Sequence, residues 1–178
     1  MKTAILLTGA PGCGKTTLLQ KVLAQYTGPM GGFYTREVLK DGQRTAFEMV
    51  TLDGETGILA GLHLPGPPKV AIYGVDLHPL ESVILPAIHH ACQSGKLVVI
   101  DEIGPMETFS EAFCQTVLET LDGGNPLFGT IVQRSTVFSN RIKARPDVEV
   151  IEVTLANRDA LVDFLLDRLC ELNNSLYC

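Results

Sequence analysis

The chain has 178 residues, 46% of them hydrophobic and 19% charged, enough apolar material for one globular domain with a buried core and too much for a globally disordered chain. Its 14 basic and 20 acidic residues leave a net charge of −6, which excludes the extended basic surface that nucleic-acid polymers or anionic membranes require but not a local anion site. Five cysteines (Cys13, Cys92, Cys114, Cys170 and Cys178) form no CxxC pair and are odd in number, so neither a metal knuckle nor a disulfide framework is expected and a reducing compartment fits.

The chain opens on a short apolar run, Ala4–Leu7, ended by Thr8-Gly9. That run is too short for the core of a signal peptide, and no other run approaches membrane-spanning length, so a cytoplasmic protein without a membrane segment is expected. A strand buried on both faces fits Ala4–Leu7. After a glycine-rich turn, Thr16–Tyr26 reads as a helix with Leu18, Leu19, Val22 and Leu23 on one stripe. Phe33–Lys40 and Gln43–Thr51 flank Asp41-Gly42, a two-residue hairpin turn. With Thr56–Ala60 they suggest an antiparallel meander inserted over about residues 31–61. Leu64–Pro68 is a proline-rich loop. Leu77–Cys92 reads as a helix with Pro79 in its first turn and a kink at Pro86. Leu97–Ile100 is a second buried strand. Thr108 and Glu111 have capping-box spacing ahead of a helix carrying Phe109, Phe113, Val117 and Leu121. Leu127–Val132 and Val148–Val153 read as strands, Ser139–Lys143 as a short helix, and Asn157–Leu172 as a closing helix. No repeat or linker divides the chain, so residues 1–178 are expected to form one α/β domain: a mostly parallel sheet flanked by helices.

The segment Gly9-Ala10-Pro11-Gly12-Cys13-Gly14-Lys15-Thr16 matches G-x-x-x-x-G-K-[ST] between a strand and a helix. Its glycines let the backbone approach a phosphate and aim N–H groups at it, and the helix start adds a partial positive charge. Lys15 is expected to reach the β- and γ-phosphates, Thr16 to ligate Mg²⁺, and Thr17 to contact an α-phosphate. Cys13 occupies a variable position of the loop; a thiol near a helix start can also be redox-sensitive. Asp101-Glu102 ends an apolar strand, where Asp101 is expected to hold Mg²⁺ and Glu102 to activate the attacking water. Gly104 and Pro105 supply a turn close to the nucleotide.

Further positive charge is expected from Arg141 and Arg145, which flank Lys143 between the last two strands at a lid-like position. Asn157 is expected to cap the last helix and Arg158 to stack on the base. Arg36, Glu37 and Glu48 could face the site, whereas Tyr34 and Phe47 read as packing residues. His63, His78, His89 and His90 show no metal-ligand spacing.

Taken in order, Gly9–Thr17, Gly32–Val38, Asp101–Glu107, Arg141–Asp147 and Asn157–Asp159 resemble the small nucleoside-triphosphatase family described from thermophiles, whose animal members are called cancer-related nucleoside-triphosphatase. The Asp-Glu pair also resembles the additional-strand, catalytic-glutamate division of P-loop proteins, with a further strand between the loop-bearing and Asp-bearing strands. The resemblance implies slow, Mg²⁺-dependent hydrolysis of several nucleoside triphosphates to diphosphate and phosphate; ATP, GTP, CTP and UTP are the expected substrates, and a monomer is expected. Pro105, often lysine in such chains, and Thr108, often apolar, depart from the pattern. The alternatives are a small-molecule or nucleotide kinase, in which Glu102 activates an acceptor hydroxyl, and a non-enzymatic nucleotide switch.

Overall fold

The computed structural model describes residues 2–172, so Cys178 lies outside them. Strand β1 (Ala4–Thr8) is buried throughout. Ala4 and Leu6 join the hydrophobic cluster on one face of the sheet, and Ile5 and Leu7 join the cluster on the other. In β7 (Leu97–Ile103), Val98 and Ile100 divide from Leu97 and Val99 in the same way. This period-two division of continuous apolar runs is what a strand covered on both faces requires.

The helices form the outer layers. Helix α1 (Lys15–Leu23) buries Leu18, Leu19, Val22 and Leu23 against one face, where α5 (Leu161–Leu172) adds Leu165 and Leu169. Helices α2 (Leu85–Gln93), α3 (Glu111–Asp122) and α4 (Val137–Lys143) cover the other with Ile88, Phe113, Val117, Leu121 and Ile142. Among the described residues, no helix is long and apolar enough to cross a membrane.

The remaining strands are β2 (Met30–Lys40), β3 (Gln43–Thr51), β4 (Thr56–Gly61), β5 (Lys69–Val70), β6 (Tyr73–Val75), β8 (Leu127–Ile131) and β9 (Val148–Glu152). The described strands form one sheet in the order β5-β6-β4-β3-β2-β7-β8-β1-β9. From β2 to β9 the pairings are parallel, and from β2 to β5 they are antiparallel. The sheet is therefore mixed rather than mostly parallel. Its two halves meet on one strand: Met30–Phe33 pairs parallel with Leu97–Ile100, while Phe33–Lys40 pairs antiparallel with Gln43–Thr51. The hairpin thus extends the central sheet, and it carries two short strands, β5 and β6, that the proline-rich sequence around Leu64–Pro68 concealed. The turn is the expected one, with Asp41 and Gly42 at φ 51° and 75°.

Local boundaries moved for physical reasons. Proline 86 does not kink a single helix. It stands at the start of α2, and a π-helical segment, Leu80–Ile84, precedes it, so the bond register widens where Pro86 lacks an N–H. Thr108 does not cap α3; its hydroxyl donates to the Gly104 carbonyl at 2.8 Å, and Ser110 caps the helix by accepting from Phe113 N at 3.1 Å. Helix α4 starts two residues earlier than expected because Thr136 and Ser139 form a capping box. Cys13, Cys92 and Cys114 are free thiols, as the scattered cysteine spacing suggests for them.

Candidate functional site

The loop after β1 passes too close to its neighbours for a side chain at Gly9. A Cβ there would lie 2.3 Å from the Val153 carbonyl oxygen. Gly14, at φ 100°, is the N-cap of α1, which has no side-chain cap and no acidic residue in its first turn. The partial positive charge of that helix end is consequently left open to an external anion. Lys15 Nζ donates to the Gly9 and Ala10 carbonyls at 3.0 and 3.4 Å, which holds the ammonium over the loop. Cys13 is buried, and its Sγ would lie 2.9 Å from that Gly9 Cβ, a packing position rather than an exposed thiol.

The parallel sheet carries an acidic strand end to this loop. Asp101, 1% exposed, accepts at Oδ1 from the hydroxyls of Thr130 (2.7 Å) and Thr16 (3.2 Å). Its Oδ2 accepts from the Thr35 hydroxyl (3.2 Å) and backbone N–H (3.3 Å). Strand order produces this convergence. β8 lies between β1 and β7 and brings Thr130 beside Leu7, while Phe33 of β2 pairs with Ile100 and leads the chain to Thr35. Burial pushes the Asp101 carboxyl above the usual range, and the four donated bonds oppose that shift.

Glu102 follows on β7 and lines the same cleft. Burial raises its pKa; Lys15 lowers it and the neighbouring Asp101 raises it further. Glu107, given no separate role from the sequence, is a second buried carboxyl here. A Cβ built on Gly104 would meet Glu107 Oε2 at 3.0 Å and Glu102 Cδ at 3.3 Å, so the two groups flank one Cα. Burial first, and then the Glu102 charge, push Glu107 up to about 8. Between the ordinary glutamate range and that value the folded chain keeps a proton that the unfolded chain has released. Its contribution to stability therefore falls as pH rises through this window and is lowest above it. Glu107→Gln keeps the shape and removes the titration. Calorimetry is expected to show its melting temperature gaining on the unaltered protein by roughly 5 °C between about pH 5 and about pH 9. Parallel pH curves for the two proteins would mean that Glu107 does not hold the proton.

The cleft has a volume of about 720 Å³. One end is the loop, with Pro11, Gly12, Gly14, Lys15, Thr16 and Thr17; Thr35, Glu102 and Glu107 occupy its middle. Its far end is built by the antiparallel half of the sheet and includes Arg36, Glu37, Arg44 and Phe47. Gly9, Ala10, Cys13, Asp101 and Gly104 are not among the lining residues. Phe47 packs against the core, as read from sequence, and also lines the cleft, as does Pro105, while Tyr34 packs on the hydrophobic cluster beneath α1.

The lid-like arginines are not brought to the cleft. Arg145 donates to both carboxylate oxygens of Asp147 at 2.9 and 2.7 Å and to Asp122 at 2.7 Å, so its guanidinium ties the turn after α4 to the end of α3. Lys143 caps the Val132 and Gln133 carbonyls, and Arg141 is exposed on α4. Asn157 does not cap α5, which begins at Leu161. Its side chain accepts from Thr154 N at 2.8 Å and donates to Glu152 O at 2.9 Å, closing the turn after β9. Arg158 lies against the glycine loop, its Nη1 3.0 Å from where a Gly14 Cβ would stand, and is not among the residues lining the cleft. Sequence reasoning missed Thr35, Thr130 and Glu107 as site residues, and Arg44 as a wall of the far end of the cleft; Thr35 and Glu107 lay within segments already singled out.

A glycine loop at the carboxyl end of one parallel strand, facing a buried carboxylate at the end of another beneath helices on both faces, defines an α/β protein of nucleotide-binding layout. Its relatives make the class specific. A family model described as NTPase matches residues 4–166. The chain is 43% identical over 162 residues to nucleoside-triphosphatase THEP1 of Thermotoga sp. (strain RQ2), covering 91% of this chain and 92% of that one. It is 42% identical over 178 residues to the human cancer-related nucleoside-triphosphatase, covering 91% and 94% of the two chains. The crystal structure of THEP1 from Aquifex aeolicus superposes with a TM-score of 0.86 at 32% identity, over 93% of this chain and 98% of that one. The chain belongs to this NTPase family.

Proposed function

We propose that the protein hydrolyses nucleoside triphosphates to the diphosphate and phosphate, with Mg²⁺ as cofactor and broad base specificity. The observation that carries this reading is the Thr16–Asp101 contact of 3.2 Å, which joins the glycine loop to the acidic strand end whose Glu102 lines the cleft. The reading also agrees with the names of the relatives. β8 between β1 and β7 fits the additional-strand, catalytic-glutamate division.

The donor set suits Mg²⁺. Thr16 and Asp101 offer only oxygen, and a single carboxylate with a hydroxyl leaves room for water and phosphate oxygens, as this cation prefers. No cluster of three or more His, Cys, Asp or Glu forms a dedicated cage among the described residues. Thr16 and Asp101 would hold the ion; when bound, it neutralises charge on the phosphate oxygens. Lys15 leaves the loop carbonyls for the phosphates, and the open end of α1 orients them. Glu102, made more basic by burial, takes the proton of the attacking water. The Asn157 amide is already engaged by Thr154 and Glu152, so Arg158 contributes a stacking surface rather than a base-edge code, consistent with loose base choice.

Phosphate release from ATP, GTP, CTP and UTP, with Mg²⁺ or with chelator, tests the proposal. All four are expected to turn over within about tenfold of one another, and chelation to remove activity. Turnover of one base alone would overturn the breadth, and undiminished activity in chelator would overturn the metal assignment.

A further inference from the structure

The cleft is longer than the glycine loop. From Lys15 and Thr16 it runs past Glu102 and Thr35 into a chamber walled by Arg44, Phe47, Leu59, Val70 and Tyr73. Those residues come from β3, β4, β5 and β6, on the far side of β7 from β1. Arg158 follows β9, at the opposite edge of the sheet, and lies against Gly14. A triphosphate with its base beside Arg158 directs its terminal phosphate toward Glu102 and does not reach the chamber.

The chamber has its own recognition chemistry. The rings of Phe47 and Tyr73 meet edge to face at 5.2 Å and 74°. The Arg44 guanidinium lies 4.7 Å from the Phe47 centroid and 5.6 Å from that of Tyr73. Its Nε donates to the Tyr73 hydroxyl at 3.1 Å and its Nη1 to Glu37 at 2.6 Å, yet 42% of the side chain remains exposed. Leu59 and Val70 give an apolar floor, and the half-exposed side chains of Arg36 and Glu37 place both signs of charge at the rim. A guanidinium fixed over an aromatic ring, with an apolar floor and a polar rim, suits a planar heterocycle with hydrogen-bonding edges.

We propose that this chamber binds a second small molecule, a nucleoside or nucleoside monophosphate, with its ring stacked on Arg44 and Phe47 while a triphosphate occupies the glycine loop. The inference rests on the triphosphate lying in that loop, so its binding is measured first, by titration calorimetry with a non-hydrolysable ATP analogue and Mg²⁺. Adenosine, cytidine, AMP, GMP and CMP are then titrated into the saturated complex; the nucleoside and monophosphate arms distinguish recognition of the ring alone from recognition of ring and phosphate. At least one probe is expected to bind in a single saturable step. Phe47→Leu and Arg44→Met are each expected to weaken that step by about fivefold or more, with the analogue's affinity unchanged within about twofold, which also reports an intact fold. The chamber proposal is overturned if no probe binds, if the probes displace the analogue, or if both variants bind the probes as the unaltered protein does. Failure of the analogue to bind the unaltered protein overturns both this proposal and the functional reading.

Discussion

Glu102→Gln is expected to bind nucleoside triphosphate with nearly unchanged affinity and to release phosphate about 10²–10⁴-fold more slowly. The argument rests on where the carboxylate sits. Glu102 follows the buried Asp101 at the end of β7 and lines the cleft facing the glycine loop. Burial makes it a better base than a solvated glutamate, and the Lys15 charge keeps that shift in check. Glutamine has the same shape and can still hold a water molecule by hydrogen bonds, but it cannot take a proton. The loss should therefore fall on the chemical step and spare binding. Equilibrium titration with a non-hydrolysable analogue and single-turnover phosphate release separate the two. In the unaltered protein the acid limb of the pH–rate profile is expected above the ordinary glutamate range, because protonation of Glu102 removes the base and its pKa is raised. Unchanged turnover in the variant would move the base elsewhere, and the neighbouring Glu107, beside the same Gly104, would be the first candidate.

Different parts of this site were legible in the sequence to different degrees, and the differences have physical causes. The β1–loop–α1 unit is local: its phosphate chemistry, strand burial and helix stripe all lie within Ala4–Leu23, so one stretch of sequence contains the whole signal. Asp101-Glu102 was legible for the same reason, as polar residues ending an apolar run. Thr130 was not. Its hydroxyl matters only because β8 is threaded between β1 and β7, and nothing local in Leu127–Ile131 encodes that order. Thr35 depends likewise on β2 switching partners at Phe33, from β7 to β3. Glu107 closed the Asp101–Glu107 segment that carries the resemblance, but it had no role of its own until the fold buried it beside Glu102. The arginines show the opposite case. Arg145 stands in a segment rich in positive charge, but Asp147 lies two residues away and Asp122 comes from α3, and together they satisfy its guanidinium far from the cleft. A run of basic residues shows charge; only the tertiary structure shows whether that charge is already paired.

For Asp101→Asn, activity and stability are expected to part company. The carboxylate receives hydroxyl donors from Thr16 and Thr130 at Oδ1, and the hydroxyl and N–H of Thr35 at Oδ2. An asparagine amide has one acceptor oxygen and one donor nitrogen to put in those two places. The Thr35 N–H can only donate, so the oxygen must face Thr35. The nitrogen then faces Thr16 and Thr130, whose hydroxyls can rotate to accept. That arrangement keeps the Thr35 N–H paired and turns the Thr16 and Thr130 hydroxyls from donors into acceptors, and the loss of their donated bonds is offset by removal of a charge whose burial already raised its pKa. Without nucleotide, the melting temperature should stay within roughly 3 °C of the unaltered protein, whereas Asp101→Ala, which strips Thr35 N–H of its acceptor, should cost about 1–3 kcal/mol. Mg²⁺-dependent turnover should nevertheless fall by about 10²-fold or more in Asp101→Asn, because the variant lacks the anionic ligand and turns the Thr16 lone pair toward the amide. Calorimetry with and without Mg²⁺ and a non-hydrolysable triphosphate reads both effects, since ligand bound to the native state raises the melting temperature. A variant that melts far lower without nucleotide yet gains the full Mg²⁺–nucleotide stabilisation would make Asp101 a structural acceptor, and the cation would then have to be held by other groups.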